Sequence, residues 1–275
     1  MSRPLFSCVV PVKGARPFIT DALASLESQG IGEELEVIVQ DGGVGSGGVG
    51  EFVSGGVESG GVRYYRDDDN GQSDALNKGF AKAKGEWLFW LNADDVLLPG
   101  ALMKVKQLLH SSTPPLTTLN WIAGNVVYMD SAGCAKWCAW DRGWKLSYTG
   151  LPVQVYGPSS FFRRELFEKS GGFDVSLNYV MDVDLWCKFR KMGYWYKKIP
   201  DFVWGFRLHD GSKTSCAQEG RWTQEQSAEQ EIVNERYGLS HVGLASKVAQ
   251  FSRVVNGSYV RSWLETRKRN GKSVL

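Results

Sequence analysis

Two adjacent carboxylates, Asp94 and Asp95, follow the apolar run Trp87-Leu88-Phe89-Trp90-Leu91 and the link Asn92-Ala93. Side by side at the end of a buried strand, they repel one another unless a cation or hydrogen-bond donors share the site. Their oxygens suit Mg²⁺ or Mn²⁺, which take few protein carboxylates and complete their shell with phosphates and water. A metal there would neutralise charge developing on a departing diphosphate. The same pair can also serve as a turn cap, so context has to decide. Asp41 closes a second apolar run, Leu35–Val39, through Gln40. Asp182 and Asp184 open a helical pattern and, two residues apart, point to different faces. One can act on a ligand while the other serves structure, and Asp182 can also cap the helix.

These acids need elements to carry them. Phe6–Val10 reads as a strand, Phe18–Gln29 as a helix with Ile19, Ala22, Leu23 and Leu26 on one face, and Leu35–Val39 as a second strand. Val62–Tyr65, Ser73–Lys84 and Trp87–Leu91 read as strand, helix and strand. Such alternation builds an α/β fold, a mostly parallel sheet flanked by helices on both faces. Ligands on these sheets bind beyond the carboxyl ends of the strands, where Asp41 and Asn92–Asp95 lie. The glycine-rich stretch 42–61 has no Gly-Lys-Ser/Thr and is no P-loop; it reads as a surface loop with a weak helix around Glu51-Phe52-Val53. Residues 121–150 read as an antiparallel extension, Phe161–Gly193 as two helical patterns with the second at Met181–Met192, and Glu219–Tyr237 as a polar helix. The tail from His241 carries seven cations against Glu265 alone, interleaved with Val254, Tyr259 and Trp263. A basic, Trp-bearing amphipathic segment suits an anionic membrane surface, and equally a solvated helix packed on the main domain.

Length and composition narrow the classes. A chain of 275 residues with 43% hydrophobic and 23% charged residues buries a real core. A net charge of +2 gives no reason to expect nucleic acid. No apolar run reaches the roughly 18 residues of a membrane span, and the run Cys8–Val12 reads as a first core strand rather than a signal peptide. The cysteines at 8, 134, 138, 187 and 216 are odd in number without CxxC pairs, which suits a reducing cytoplasm and suggests neither a disulfide framework nor a zinc site.

Several motifs then stand in order: Asp69-Asn70-Gly71-Gln72-Ser73-Asp74-Ala75-Leu76-Asn77-Lys78-Gly79; Leu91-Asn92-Ala93-Asp94-Asp95; Gly171-Gly172-Phe173-Asp174; Met181-Asp182-Val183-Asp184-Leu185-Trp186; and Phe206-Arg207-Leu208-His209 with Ser212-Lys213-Thr214. Together, over roughly residues 5–215, they resemble glycosyltransferase family 2, in its bacterial polysaccharide-type members. The resemblance implies the GT-A fold, a Rossmann-like nucleotide-diphospho-sugar transferase arrangement. It implies a catalytic domain over 1–215, with a nucleotide-binding half at 1–100, an acceptor-binding half at 101–215, and a helical, basic extension at 216–275.

It further implies an inverting transfer from a UDP-, dTDP- or GDP-linked sugar to a glycan or lipid-linked saccharide, using Mn²⁺ or Mg²⁺. On that resemblance Asp41 would meet the nucleotide base beside the backbone of Pro11 and Val12, and Asp69, Asp74 and Asn77 would border the nucleoside. Asn92 and Asp94 would lie at the ribose and diphosphate, with Asp95 the principal metal ligand and His209 on the metal or diphosphate. Lys213, in the Ser212–Thr214 loop, would hold the leaving diphosphate. Asp182 would be the base: a sugar hydroxyl is a poor nucleophile at neutral pH, so a carboxylate must accept its proton. The location implied is cytoplasmic, with peripheral contact at the inner membrane face. Two departures stand out: Ser46 occupies the family's second aspartate after β-strand two, and Met181 replaces the common Glu before Asp182. A sugar nucleotidyltransferase would need a G-x-G-T-R-like loop where this chain has Pro11–Pro17, and a non-catalytic sugar-nucleotide-binding module would need no base. Of the aromatics, Tyr156, Tyr179, Trp186 and Trp204 are expected near the site.

Overall fold

The computed structural model describes residues 3–13, 17–43, 61–111, 119–141, 155–210, 212, 223–239, 251 and 253–275. The expectations for Ser46, the helix at 51–53, Lys213 and Thr214 fall outside the described residues.

A nine-stranded sheet forms the frame. Strands β1 (Phe6–Val12), β2 (Leu35–Asp41), β3 (Val62–Arg66) and β4 (Trp87–Trp90) lie parallel in the order β3-β2-β1-β4. Helices α1 (Ile19–Glu27) and α2 (Gln72–Lys82) make the intervening crossovers. The sheet continues through β8 (Ser160–Arg163), β6 (Trp121–Met129), β9 (Lys197–Arg207) and the short β5 (Val96–Leu97), with β7 (Ala135–Ala139) paired to β6. The β8 strand is antiparallel to both neighbours, whereas β6 and β9 are parallel to each other and share the direction of β1–β4. Six strands thus point their carboxyl ends the same way.

Side-chain alternation explains the layers. Phe6, Cys8, Val10 and Val12 face a core shared with α1 and with α3 (Ala101–Ser111). Val9 and Ile38 face the opposite core, shared with α2, α4 (Arg164–Ser170) and α5 (Met181–Lys191). That second core is a ladder of rings: Trp186 stacks 4.8 Å from Trp121 and 6.1 Å from Trp90. A side chain added at Gly79 would collide with Val9, so this glycine sets how closely α2 lies on the sheet. Pro11, which has no N–H to donate, lies two residues past the last β1–β4 pair, Val9 with Trp90.

Two expectations change. Phe161 and Phe162 lie in β8 rather than in a helix, because they complete the central sheet between β4 and β6. The Trp121 segment, expected in an antiparallel extension, is antiparallel to β7 and β8 but is itself an inner strand of the main sheet, parallel to β9. In the described part of the chain after 215, α6 (Gln224–Tyr237) packs on α5, and α7 (Ser258–Arg269) packs on β7. Residues beyond α7 pair with the β6–β7 turn, through Gly271 N–H to Ala135 O and Val274 N–H to Gly133 O. Among the described residues no helix is long and apolar enough to cross a membrane.

Candidate active site

The carboxyl ends of β1, β4, β6 and β9 open into a cavity of about 810 Å³. Pro11, Val12 and Lys13 form one wall, and Asn92, Ala93 and Asp94 another. The amino end of α2 brings Asp69, Gly71, Gln72 and Ala75. The far side holds Tyr156, Tyr179, Met181 and Asp182, with Glu225 and Glu229 reaching in from α6.

The two adjacent acids divide their work. Asp95 is 1% exposed; its Oδ1 accepts the Arg207 backbone N–H at 2.9 Å and its Oδ2 accepts Asn92 Nδ2 at 2.8 Å. Burial, and then the neighbouring Asp94 charge, push its carboxyl well above the usual range. Asp94 instead lines the cavity, with Oδ2 3.0 Å from His209 Nε2. Asp94 is the carboxylate that the cavity reaches, while Asp95, the expected principal metal ligand, is held in the turn below it. Arg207, 1% exposed, ties that turn down, donating from Nε to Asp94 O at 2.9 Å and from Nη2 to Asp21 Oδ2 at 2.8 Å. Its place in the recurring Phe206–His209 run was the only sequence signal for this role. Gln72 extends the network with a 2.9 Å hydrogen bond to Asn92 Oδ1.

The Gly-Gln-Ser-Asp segment proves mostly a strut. Ser73 Oγ donates to Leu177 O at 2.5 Å and lies 3.0 Å from Met181 Sδ. Asn77 brackets Phe173, donating to its carbonyl and accepting its N–H, both at 2.9 Å. Asp74 accepts the Asn70 N–H and pairs with Lys78 at 2.9 Å, which holds its carboxyl below the usual range. Asp74 and Asn77, expected in the segment bordering the nucleoside, are not among the residues lining the cavity, and their side chains are engaged in fixing α2. Asp69 does line it, braced by the Gly71 N–H at 3.0 Å. Asp41 is fully buried at the end of β2, accepting from the Gly43 N–H at 2.9 Å and from the Tyr64 hydroxyl, and it too stands off the cavity. Gly42 is required beside it, because any Cβ there would strike the Asp69 carboxylate.

At the other end Asp182 occupies the first turn of α5, half-buried, with its Oδ1 2.8 Å from the Val183 N–H. Burial pushes its carboxyl up to about 6, against the lowering effect of the backbone N–H donors of Val183 and Gly157. Asp184 is fully buried and faces away, accepting from Arg236 at 2.7 Å and the Tyr237 hydroxyl at 3.0 Å, with Lys188 3.0 Å away. Sequence reasoning missed Glu229. Its carboxylate accepts the N–H groups of Asn178, Tyr179 and Val180 at 2.9, 2.7 and 3.2 Å, closing the amino end of α5. No local pattern announces this, since the bond spans 51 residues. Of the expected aromatics, Tyr156, Tyr179 and Trp204 line the cavity, whereas Trp186 is 1% exposed in the core.

A profile described as glycosyl transferase family 2 matches residues 7–171. An uncharacterised glycosyltransferase of Rickettsia felis is 27% identical over 192 residues, covering 67% of this chain and 31% of that relative. The chain therefore spans about a third of that protein's length. A PGL/p-HBAD biosynthesis glycosyltransferase of Mycobacterium tuberculosis is 26% identical over 187 residues, covering 67% of this chain and 69% of that one. Among solved structures, S. aureus TarS 1-349 in complex with UDP-GlcNAc superposes with a TM-score of 0.57 at 15% identity, covering 76% of this chain and 60% of that chain. The mannosyltransferase PcManGT from Pyrobaculum calidifontis, in complex with GDP-Man and Mn²⁺, gives 0.57 at 19% identity, covering 97% and 83%. These likenesses establish a shared GT-A fold.

Proposed function

The chain belongs to glycosyl transferase family 2, and on that premise we propose that it moves a sugar from a nucleoside-diphosphate donor onto the hydroxyl of a glycan or lipid-linked acceptor, with inversion at the anomeric carbon. The observation that carries this reading is the arrangement of one cavity: Asp94 and His209 at the end nearest β1 and β4, and at the other a carboxyl, Asp182, held near 6.

Asp94 and His209 offer a carboxylate oxygen and an imidazole nitrogen, a donor set that suits Mn²⁺ and leaves further positions for phosphate oxygens. A divalent ion bound there would offset the negative charge of the diphosphate leaving group. The chain's own residues do the rest. Pro11, Val12 and Asp69 line the wall where the nucleoside is placed, and Asp41 supports that wall from behind through Gly43. Lys13, from β1, adds a cation beside the diphosphate position, and Lys213 remains the proposed cation of the following loop. Asp182 takes the proton of the acceptor hydroxyl as its oxygen attacks the anomeric carbon and the nucleoside diphosphate departs on the opposite side. A base near 6 is ionised at neutral pH yet retains proton affinity, the compromise general-base catalysis calls for.

Calorimetric titration with UDP, GDP and dTDP, each in Mn²⁺ and in EDTA, tests the donor class. Binding of one nucleotide that disappears in EDTA is expected, with sugar transfer and no formation of a nucleotide sugar from sugar phosphate. Binding of none of the three, or binding indifferent to metal, would overturn it. The neighbours carry UDP-GlcNAc in one case and GDP-Man in the other, which supports a nucleotide sugar without choosing among them.

A further inference from the structure

Helix α7 is built inside out. Its inward face carries the polar side chains: Ser262 Oγ accepts the Trp140 N–H at 2.9 Å, Thr266 Oγ1 accepts the Cys138 N–H at 2.9 Å, and Glu265 is 6% exposed. Its outward face carries Val260, Trp263 and Leu264, exposed by 62, 56 and 41% and spaced three and four residues apart. A helix on a soluble domain has the reverse pattern, because burying apolar side chains is what docks it. The helical stretch 253–255 just before α7 adds Val254 and Val255, exposed by 64 and 62%. Among the described residues, eight of the thirteen exposed large apolar side chains lie within 251–275. Scattered exposed apolar residues need no explanation, but a concentration on one element does.

The charges beside this face have one sign. Residues 251–275 hold Arg253, Arg261, Arg267, Lys268, Arg269 and Lys272 against Glu265 alone, a buried acid shared by Arg261, Lys268 and Arg269, so the surplus stays positive. Arg267 lies 4.9 Å over the Trp263 ring and Arg253 4.5 Å over Tyr259, so guanidinium groups rim the apolar patch. A second copy of the chain would bring like charges together across a two-fold axis, which disfavours self-association.

From this inverted, cation-rimmed face we propose that α7 docks the enzyme on an anionic lipid bilayer, lying in the plane of the interface. Val260, Trp263 and Leu264 enter the boundary between headgroups and acyl chains while Arg267 and Lys268 meet lipid phosphates. At twelve residues the helix is far too short to span a bilayer. The face is independent of the cavity chemistry, so this proposal stands or falls separately from the transfer reaction.

Sedimentation of the full chain with vesicles of phosphatidylcholine, with and without phosphatidylglycerol, tests it. Pelleting with the anionic vesicles only, weakening as salt rises, is expected. The double substitution Val260→Asp, Trp263→Glu should abolish it at an unchanged melting temperature. Arg267→Gln and Lys268→Gln should each weaken partitioning about fivefold, and they carry the test if the double variant unfolds. Absence of pelleting, equal pelleting on neutral vesicles, or a concentration-dependent dimer that the double substitution dissolves without any vesicle binding would each overturn the proposal.

Discussion

The two ends of the cavity use the same device with opposite electrostatics. Each presents one carboxylate and buries a near neighbour to hold it: Asp94 with Asp95, Asp182 with Asp184. At the Asp182 end the buried acid is neutralised by Arg236 and Lys188. At the Asp94 end it is held by a backbone N–H and a side-chain amide, neither of which cancels its charge. On the proposed reading that end would be completed by a cation. At the other end burial raises the carboxyl of half-buried Asp182, and no cation is proposed there. On the proposed reading, phosphate handling and proton acceptance follow from how each buried carboxylate is partnered.

The largest expected effect breaks the Asp182 end. Asp182→Asn should lower transfer by about 100- to 10,000-fold while leaving metal-dependent nucleotide binding intact. Retained activity in a steady-state assay would remove Asp182 from the role of base. In the unsubstituted enzyme kcat/KM should climb as pH rises through about 6 and then level, because the base works ionised. Stability moves the other way. The folded carboxyl titrates about two pH units above its ordinary 3.8, so folded protein keeps a proton that unfolded chain has lost. Stability therefore falls as pH rises from about 4 to 6, by at most about 3 kcal/mol. The asparagine variant should melt higher than the parent at pH 7.5, and the gap should close near pH 4. A variant that melts lower at neutral pH would show that burial does not strain this carboxylate.

The next effect separates Asp94 from Asp95. Asp94→Ala should weaken nucleoside diphosphate binding in Mn²⁺ by on the order of 100-fold, since a metal interaction is worth several kcal/mol, with little change in melting temperature. Asp95→Ala should do more to the fold, because it leaves the Arg207 N–H and the Asn92 amide without acceptors at a cost of about 1–3 kcal/mol each. Calorimetry and thermal melts on both variants decide the assignment. The reverse pattern would restore Asp95 as the principal ligand.

How much of this was legible in the sequence depends on distance along the chain. The four parallel strands from Phe6 to Trp90 were readable from apolar runs, because each strand is contiguous and its ligand-facing acids sit at its end. The separation of Asp182 from Asp184 onto different faces of one turn was readable too. Neighbouring acids of equal type were not separable. Which of Asp94 and Asp95 turns to the cavity is set by β9, whose Arg207 N–H arrives from 112 residues away. Asp74 and Asn77 looked like ligands for the same reason. Their partners lie within α2 in one case and at Phe173, 96 residues on, in the other. Phe161 and Phe162 joined a helical pattern because their strand is only four residues long and buried on both faces, which erases the alternation that marks a strand.

The smallest effect sharpens the comparison, because Glu229 tests whether the base end depends on a helix outside the matched family region. Three N–H groups converge on its two carboxylate oxygens at the start of α5, where the helix dipole also favours a negative charge. Glu229→Gln keeps the volume but turns an amide toward those donors, at a cost of about 1–3 kcal/mol. The donor end shares no hydrogen bond with Glu229, so nucleotide affinity should hold. The first turn of α5 should loosen, lowering kcat about tenfold, in the range that misplacement of a reacting group produces. A purely structural role would lower the melting temperature and the amount of active enzyme while leaving the acid limb of the kcat/KM profile where it was. A positioning role should move that limb, because the apolar enclosure that raises the Asp182 carboxyl is assembled by the turn Glu229 holds. An unmoved limb with unchanged kcat would show that α5 keeps its geometry without α6.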